Sequence, residues 1–314
     1  MKKISARILK PLYILSFCIV SLGCENNDAS QMDDTDAFDP QLYIEAQSGN
    51  IPLILSVPHG GNLKPDEVSN RSCNDAVTIK DEFTIELALA IMEEFDNMGQ
   101  RPYLVINKMH RSKMDANRNR EEASCGDKNA QAVWDLFHDN IQESMASVNV
   151  KFNKGLFIDL HGHGNPKQRV ELGYLLYEDE LALPDSILDS QALLEVSSIQ
   201  NLVKNNLASA SHTNLLKGEN AFGSLLAQRG FATVPSRTDP VPLPSDNYFS
   251  GGYNTATYSS YNGGTIDGIQ VECNRIGLRE TPSDRQAFAD AFVSAVATYF
   301  QVHYFNTIPV QDEE

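Results

Sequence analysis

Short apolar runs rich in β-branched residues alternate along this chain with longer stretches whose apolar residues recur at helical spacing. Ile51 to Val57, Pro102 to Ile106 and Leu156 to Leu160 read as strands, with helices predicted over Glu82 to Asn97 and Ala130 to Val148 between them. Downstream, Leu172 to Tyr177 and Ile269 to Cys273 have the strand pattern. Ser186 to Asn206, Gly218 to Gln228 and Ser283 to Phe300 have the helical one. Such alternation builds βαβ units around a mainly parallel sheet, so the fold class is α/β. No repeat at solenoid or propeller period interrupts it. The stretch from Pro235 to Gly268 is rich in Pro, Gly, Ser, Tyr and Asn and lacks a helical period. Loops that long usually cover or line a site.

The N-terminus follows a different logic. Lys2, Lys3, Arg7 and Lys10 precede an apolar run, Pro11 to Leu22, too short for a permanent membrane span, which is the pattern of a signal peptide. The run ends in Val20-Ser21-Leu22-Gly23-Cys24, similar to the processing box of bacterial lipoproteins with its usual leucine and small residue exchanged. Residues 1–23 are therefore expected to be removed and Cys24 to carry lipid. Residues 24–45 are expected to form a flexible acidic tether, and 46–314 one catalytic domain in the cell envelope.

Composition narrows the partners. Loss of the leader's four basic residues takes the net charge from −17 to −21, which leaves no basic surface for nucleic acid. Beyond Cys18 and Cys24, the cysteines are Cys73, Cys125 and Cys273, none at the CxxC spacing of a thiolate zinc site. In an oxidising compartment Cys73 and Cys125, both in polar loops, are expected to pair, and Cys273, in an apolar strand, to be a buried thiol. Any metal must then be held by histidine and carboxylate.

Two histidines stand at the ends of predicted strands beside glycines: His59 in Val57-Pro58-His59-Gly60-Gly61, and His161 in Asp159-Leu160-His161-Gly162-His163. Ligands in open α/β sheets bind beyond the carboxyl ends of strands, where two such imidazoles can meet. A catalytic zinc takes three protein ligands, and Asp81 or Glu82, at the start of the first helix, can supply a carboxylate. One of those two acids is more simply a helix-start acid facing the dipole. Asp159 is placed to orient an imidazole, and His163 to ligate or bind substrate. Arg111, Asn117 and Arg118 lie in a run that mixes Arg with Asn and Asp, the chemistry of a carboxylate clamp. Glu272 interrupts an apolar strand, so it needs either a cation such as Arg275 or Arg279, or a task as general base. No Gly-x-Ser-x-Gly elbow follows a strand, which disfavours a serine hydrolase.

Together these motifs resemble the N-formylglutamate amidohydrolase family and, more distantly, zinc carboxypeptidases and zinc N-acetylmuramoyl-L-alanine amidases. The resemblance spans nearly all of Leu53 to Arg279. It rests on Pro58-His59-Gly60, Asp81 with Thr84 and Leu87, Arg111 with Asp115-Ala116-Asn117-Arg118, Asp159-Leu160-His161, Gly251-Gly252-Tyr253, and Gln270-Val271-Glu272 with Asn274-Arg275. It implies a three-layer phosphorylase/hydrolase-like fold and one zinc held by His59, His161 and either Asp81 (the amidohydrolase pattern) or Glu82 (the amidase pattern). It further implies Glu272 as general base, Arg111 as oxyanion stabiliser, and Asn117 and Arg118 as clamp for the carboxylate of a small acylated amino acid or peptide. Tyr248, Tyr253 and Tyr258 are expected to close over the substrate. The competing expectation is a non-catalytic surface lipoprotein that binds peptides or glycans in the same pocket.

Overall fold

In the computed structural model of the chain, which describes residues 38–311, the strands β2 (Leu53–Val57), β3 (Tyr103–Asn107) and β7 (Ile266–Asn274) are buried at every position. Strands covered on both faces have this pattern. With β1 (Ile44–Gln47), β4 (Gly155–His163), β5 (Val170–Gly173) and β6 (Thr233–Val234) they form one seven-stranded sheet in the order β1-β3-β2-β4-β7-β5-β6. Parallel pairing joins β3, β2, β4 and β7 in that order, while β1 and β5 run antiparallel to β3 and β7.

Alternate residues of each strand enter opposite layers. Leu55, Leu160 and Val271 pack under the helices Thr84–Asp96 and Pro282–Tyr299 through Leu87, Ile91, Phe288 and Phe292. Ile54, Val105 and Phe157 face the helix Lys128–Phe152, which presents Val133, Phe137 and Ile141 at four-residue spacing. Asp127 caps that helix by accepting from the Ala130 N–H, and Asn153, in the left-handed conformation, ends it. The three-layer α/β arrangement read from the sequence is thus the one that forms.

Two expectations change. The helix predicted over Ser186 to Asn206 is three short ones, Asp185–Leu188, Gln191–Val196 and Gln200–Asn205. The sheet claims the main chain between the last two: Ser198 donates its N–H to Tyr174 O at 3.0 Å and its hydroxyl to Gly268 O at 2.6 Å. The tether expected to reach residue 45 also gives way earlier, because Asp39 caps the turn Pro40–Tyr43 and the buried Ile44 opens β1 opposite Asn107. The signal segment and Cys24 lie outside the described residues.

Cys73 and Cys125 form a disulfide across 52 residues, and Cys273 is a buried free thiol. A loop of that length contributes about 4 kcal/mol by restricting the unfolded chain. Reduction should therefore lower the unfolding free energy by about that amount and move the urea midpoint to lower denaturant, and coincident curves with and without reductant would show the bridge to be dispensable.

Candidate metal centre

Strands β2 and β4 are parallel neighbours, so the turns that follow them open at one edge of the sheet. His59 lies just past β2 and His161 near the end of β4, with ring centroids 4.8 Å apart. Gly61 permits the turn after His59, since a Cβ there would stand 2.3 Å from the Lys108 carbonyl carbon. Asp81 comes from the loop before the helix Thr84–Asp96. Its N–H donates to His59 O at 3.0 Å, and its Oδ2 accepts from the Gly162 N–H at 3.1 Å. That Oδ2 is 3.4 Å from His59 Nδ1 and 3.1 Å from His161 Nδ1.

The far nitrogen of each ring meets another carboxylate: Asp115 Oδ1 accepts from His59 Nε2 at 2.7 Å, and Asp159 Oδ2 from His161 Nε2 at 2.8 Å. An ionised carboxylate only accepts, so each Nε2 carries hydrogen and each Nδ1 turns toward Asp81. His59 Nδ1 is buried without a hydrogen-bond partner. Burial raises the pKa of Asp81, but His59 and His161 outweigh it and hold the carboxyl well below its ordinary range. Burial likewise lowers His161, yet Asp159, Asp81 and Glu272 hold it well above its ordinary value. Two imidazoles and a carboxylate thus converge, buried, with donor atoms within 4.8 Å of one another. Adjacent ligands of a tetrahedral ion with bonds near 2.05 Å stand about 3.3 Å apart, so the donor set fits a divalent metal. Asp159→Asn should weaken metal binding about 10–100-fold by loosening the His161 ring; unchanged affinity in a competitive chelator titration would remove Asp159 from that task.

Glu272 sits on β7 opposite His161 in the parallel register. Its Oε1 accepts from Gln270 Nε2 at 3.0 Å, and among the described residues it forms no ion pair. Burial pushes its pKa up to about 8, against the pull of His161 and with the push of Asp81 and Glu171. Arg111 donates from Nε to Asp115 Oδ2 at 2.9 Å and places its guanidinium 3.7 Å from Asp81 Oδ1. The histidines, Asp81, Arg111 and Glu272 line one cavity of about 970 Å³.

The arginines weighed as partners of Glu272 are otherwise engaged. Arg275 pairs with Glu82 at 2.8 Å and Glu280 at 3.2 Å. Arg279 is buried and donates to three carbonyls, of Glu82, of Cys273 at 3.1 Å and of His163 at 2.9 Å, which ties the Asp81 loop to the ends of β4 and β7. Gly162 makes room for it, because a Cβ there would lie 2.5 Å from Arg279 Cζ. Sequence reasoning did not assign Arg279 this role. Its partners are main-chain atoms, which leave no mark in the sequence.

Several predicted site residues take other partners, Glu82, His163 and Asn117 still at the cavity wall. Glu82 points away from the donors to Arg275, half-exposed, because Phe83 takes a φ of 65° and turns the chain into the helix. Both nitrogens of His163 serve the main chain: Nε2 donates to Arg169 O at 2.8 Å, and Nδ1 accepts from the Asn165 N–H at 3.1 Å. Tyr253 packs against Trp134 and His138 and Tyr258 is buried on His138, so of the three tyrosines only Tyr248 lines the cavity. Asn117 touches His161 at 3.2 Å and accepts from the Asn254 N–H at 2.8 Å, a positioning task, while Arg118 lines the cavity without a carboxylate partner among the described residues. The 235–268 segment does wall the cavity with Tyr248, Phe249 and Ser250, and Arg169 pins it through Asp239 at 2.9 Å and Asp246 at 2.8 Å.

No protein-family model matches the chain, and no curated protein does. Among solved structures, N-formylglutamate amidohydrolase from Ralstonia eutropha JMP134 superposes with a TM-score of 0.50 at 12% identity, over 83% of this chain and 98% of that one. This chain has that enzyme's fold. A gene product of Agrobacterium tumefaciens matches at 13% identity, over 82% of this chain and 94% of that one, with a TM-score of 0.48. The apo N-acetylmuramyl-L-alanine amidase Ami1 from Mycobacterium abscessus matches at 11% identity, over 81% and 100%, with a TM-score of 0.34. The fold matched over 83% of the chain agrees with the resemblance carried by its separate motifs.

Proposed function

We propose that the protein is an exported, zinc-dependent amidohydrolase that cleaves an N-acyl amino acid or peptide amide bearing a carboxylate. The reading is carried by one arrangement, the His59, Asp81 and His161 donors with Glu272 opposite them on the next strand. A zinc ion held by those three side chains would supply Lewis acidity to the scissile carbonyl and to the attacking water. Glu272, short of cationic partners and held at a raised pKa, takes the proton from water and passes it to the leaving nitrogen. Arg111 stands beside Asp81, where the carbonyl oxygen gains negative charge, a role worth about 2.7–4 kcal/mol where such donors have been removed. Arg118, which has no carboxylate partner among the described residues, receives the substrate carboxylate. Asp115 and Asp159 fix the imidazoles, and Arg279 fixes the loop that delivers Asp81.

The Cys73–Cys125 disulfide supports an oxidising compartment, and the Gly23-Cys24 junction supports a lipid anchor in the cell envelope. Metal analysis of the purified chain should give one zinc per chain. The loaded protein should release free amine from N-formyl or N-acyl amino acids and lose that activity to a chelator. Intact substrates after long incubation of zinc-loaded protein would favour a binding lipoprotein instead.

A further inference from the structure

The cavity above the metal donors is polar at its floor, and its mouth carries exposed apolar side chains beside the Arg275–Glu82 pair. Val77 and Ile79 stand on one side, 44% and 78% exposed, and Phe249 on another, 41% exposed; all three line the cavity. The chain behind them is fixed. Val77 O accepts from Arg71 at 2.7 Å, Ile79 O accepts from Arg111 at 3.5 Å, and the Cys73–Cys125 bridge closes the same loop. Phe249 donates its N–H to Glu171 Oε2 at 3.3 Å, which sets it over β5 while the Ile79 loop runs on to Asp81 beside the end of β2. Two pinned segments therefore hold bare apolar side chains in water on either flank of an ionic site. Apolar surface at the mouth of a polar pocket marks a place where apolar ligand is covered.

We propose that the substrate is amphiphilic, an N-acyl amino acid whose aliphatic acyl chain lies along Val77, Ile79 and Phe249 while its carboxylate meets Arg118. This rests on the amidohydrolase reading above and names its substrate class. The half of the substrate that carries the carboxylate is committed to the cation, so apolar length belongs to the acyl half. In the reaction the water oxygen bonds to the carbonyl carbon, the C–N bond breaks and the nitrogen takes a proton. The products are an aliphatic carboxylate and a free amino acid.

The test is a ladder of N-acylglycines from formyl through acetyl, butyryl and hexanoyl to octanoyl. A methylene taken fully from water is worth about a factor of four, and on an open wall roughly two, so kcat/KM should rise about two-fold per methylene. Calorimetric affinity for the metal-free protein should climb in step, and Ile79→Ser and Phe249→Ser should flatten both slopes. A flat series with formylglycine still hydrolysed would overturn the acyl wall and leave the amidohydrolase standing. So would faster cleavage of N-formylphenylalanine than of N-octanoylglycine, which would put the apolar group on the amine half. An affinity ladder without turnover would support the wall and count against the hydrolase, and neither ladder nor turnover would end both.

Discussion

Glu272→Gln should lower kcat/KM by about 10²–10⁴-fold, the usual worth of a positioned general base, while the protein keeps its metal. The substitution is close to isosteric. The glutamine oxygen can still accept from Gln270 Nε2, now at 3.0 Å from Glu272 Oε1, so the loss reports the proton-accepting group and not a collapsed strand. Stability gives an independent readout. In the metal-free protein, burial raises the Glu272 pKa from an ordinary 4.5 to about 8, so between those values the folded chain holds a proton that the unfolded chain has released. Stability from this group is then complete below about pH 4.5 and is lost as pH rises to about 8. Glu272→Gln cannot ionise, so its stability should fall less over that window, and the metal-free variant should unfold at higher urea than the wild type at pH 8. An active, metal-bound Glu272→Gln enzyme would remove the residue from the chemistry.

The sequence made the sheet legible because its central strands are covered on both faces, so β2 and β3 are nearly continuous apolar runs, while β7 shows only through Ile269, Val271 and Cys273 because it also buries Asp267, Gln270 and Glu272. His59 and His161 were legible for a related reason, since each stands at the end of such a run and adjoins a glycine, Gly60 or Gly162, where a Cβ would collide with packed neighbours. What stayed hidden depends on tertiary partners. Ser186 to Asn206 carries a helical period, yet Tyr174 O and Gly268 O capture Ser198 and break it. Asp115 was visible only as part of a clamp motif, and its role as the acceptor of His59 Nε2 needs the turn after β3 folded against the end of β2. Tyr253 sits in a matching motif, but Trp134 and His138 from the long helix take its ring. Side-chain direction at a loop is decided by what waits around it, which periodicity does not encode.

Asp81 and Glu82 bring that lesson to one residue of register, and their substitutions should separate cleanly. Asp81→Asn should lose the metal, with affinity falling by more than the roughly 100-fold that marks removal of a mere orienting group, and hydrolysis should go with it. The amide oxygen can still accept the Gly162 N–H that now lies 3.1 Å from Asp81 Oδ2, so the backbone around the site has no buried donor orphaned by the change. What disappears is the anionic charge shared by the two Nδ1 atoms, 3.4 Å from His59 and 3.1 Å from His161. Glu82→Ala removes a half-exposed pair with Arg275 whose worth is about 0–1 kcal/mol, so it should retain stoichiometric metal and near-wild-type turnover. Metal content by mass spectrometry of the native protein, read beside activity, distinguishes the two. The reverse result, metal kept in Asp81→Asn and lost in Glu82→Ala, would mean that the loop held by Phe83 and Arg279 turns its other face to the cation when the cation binds.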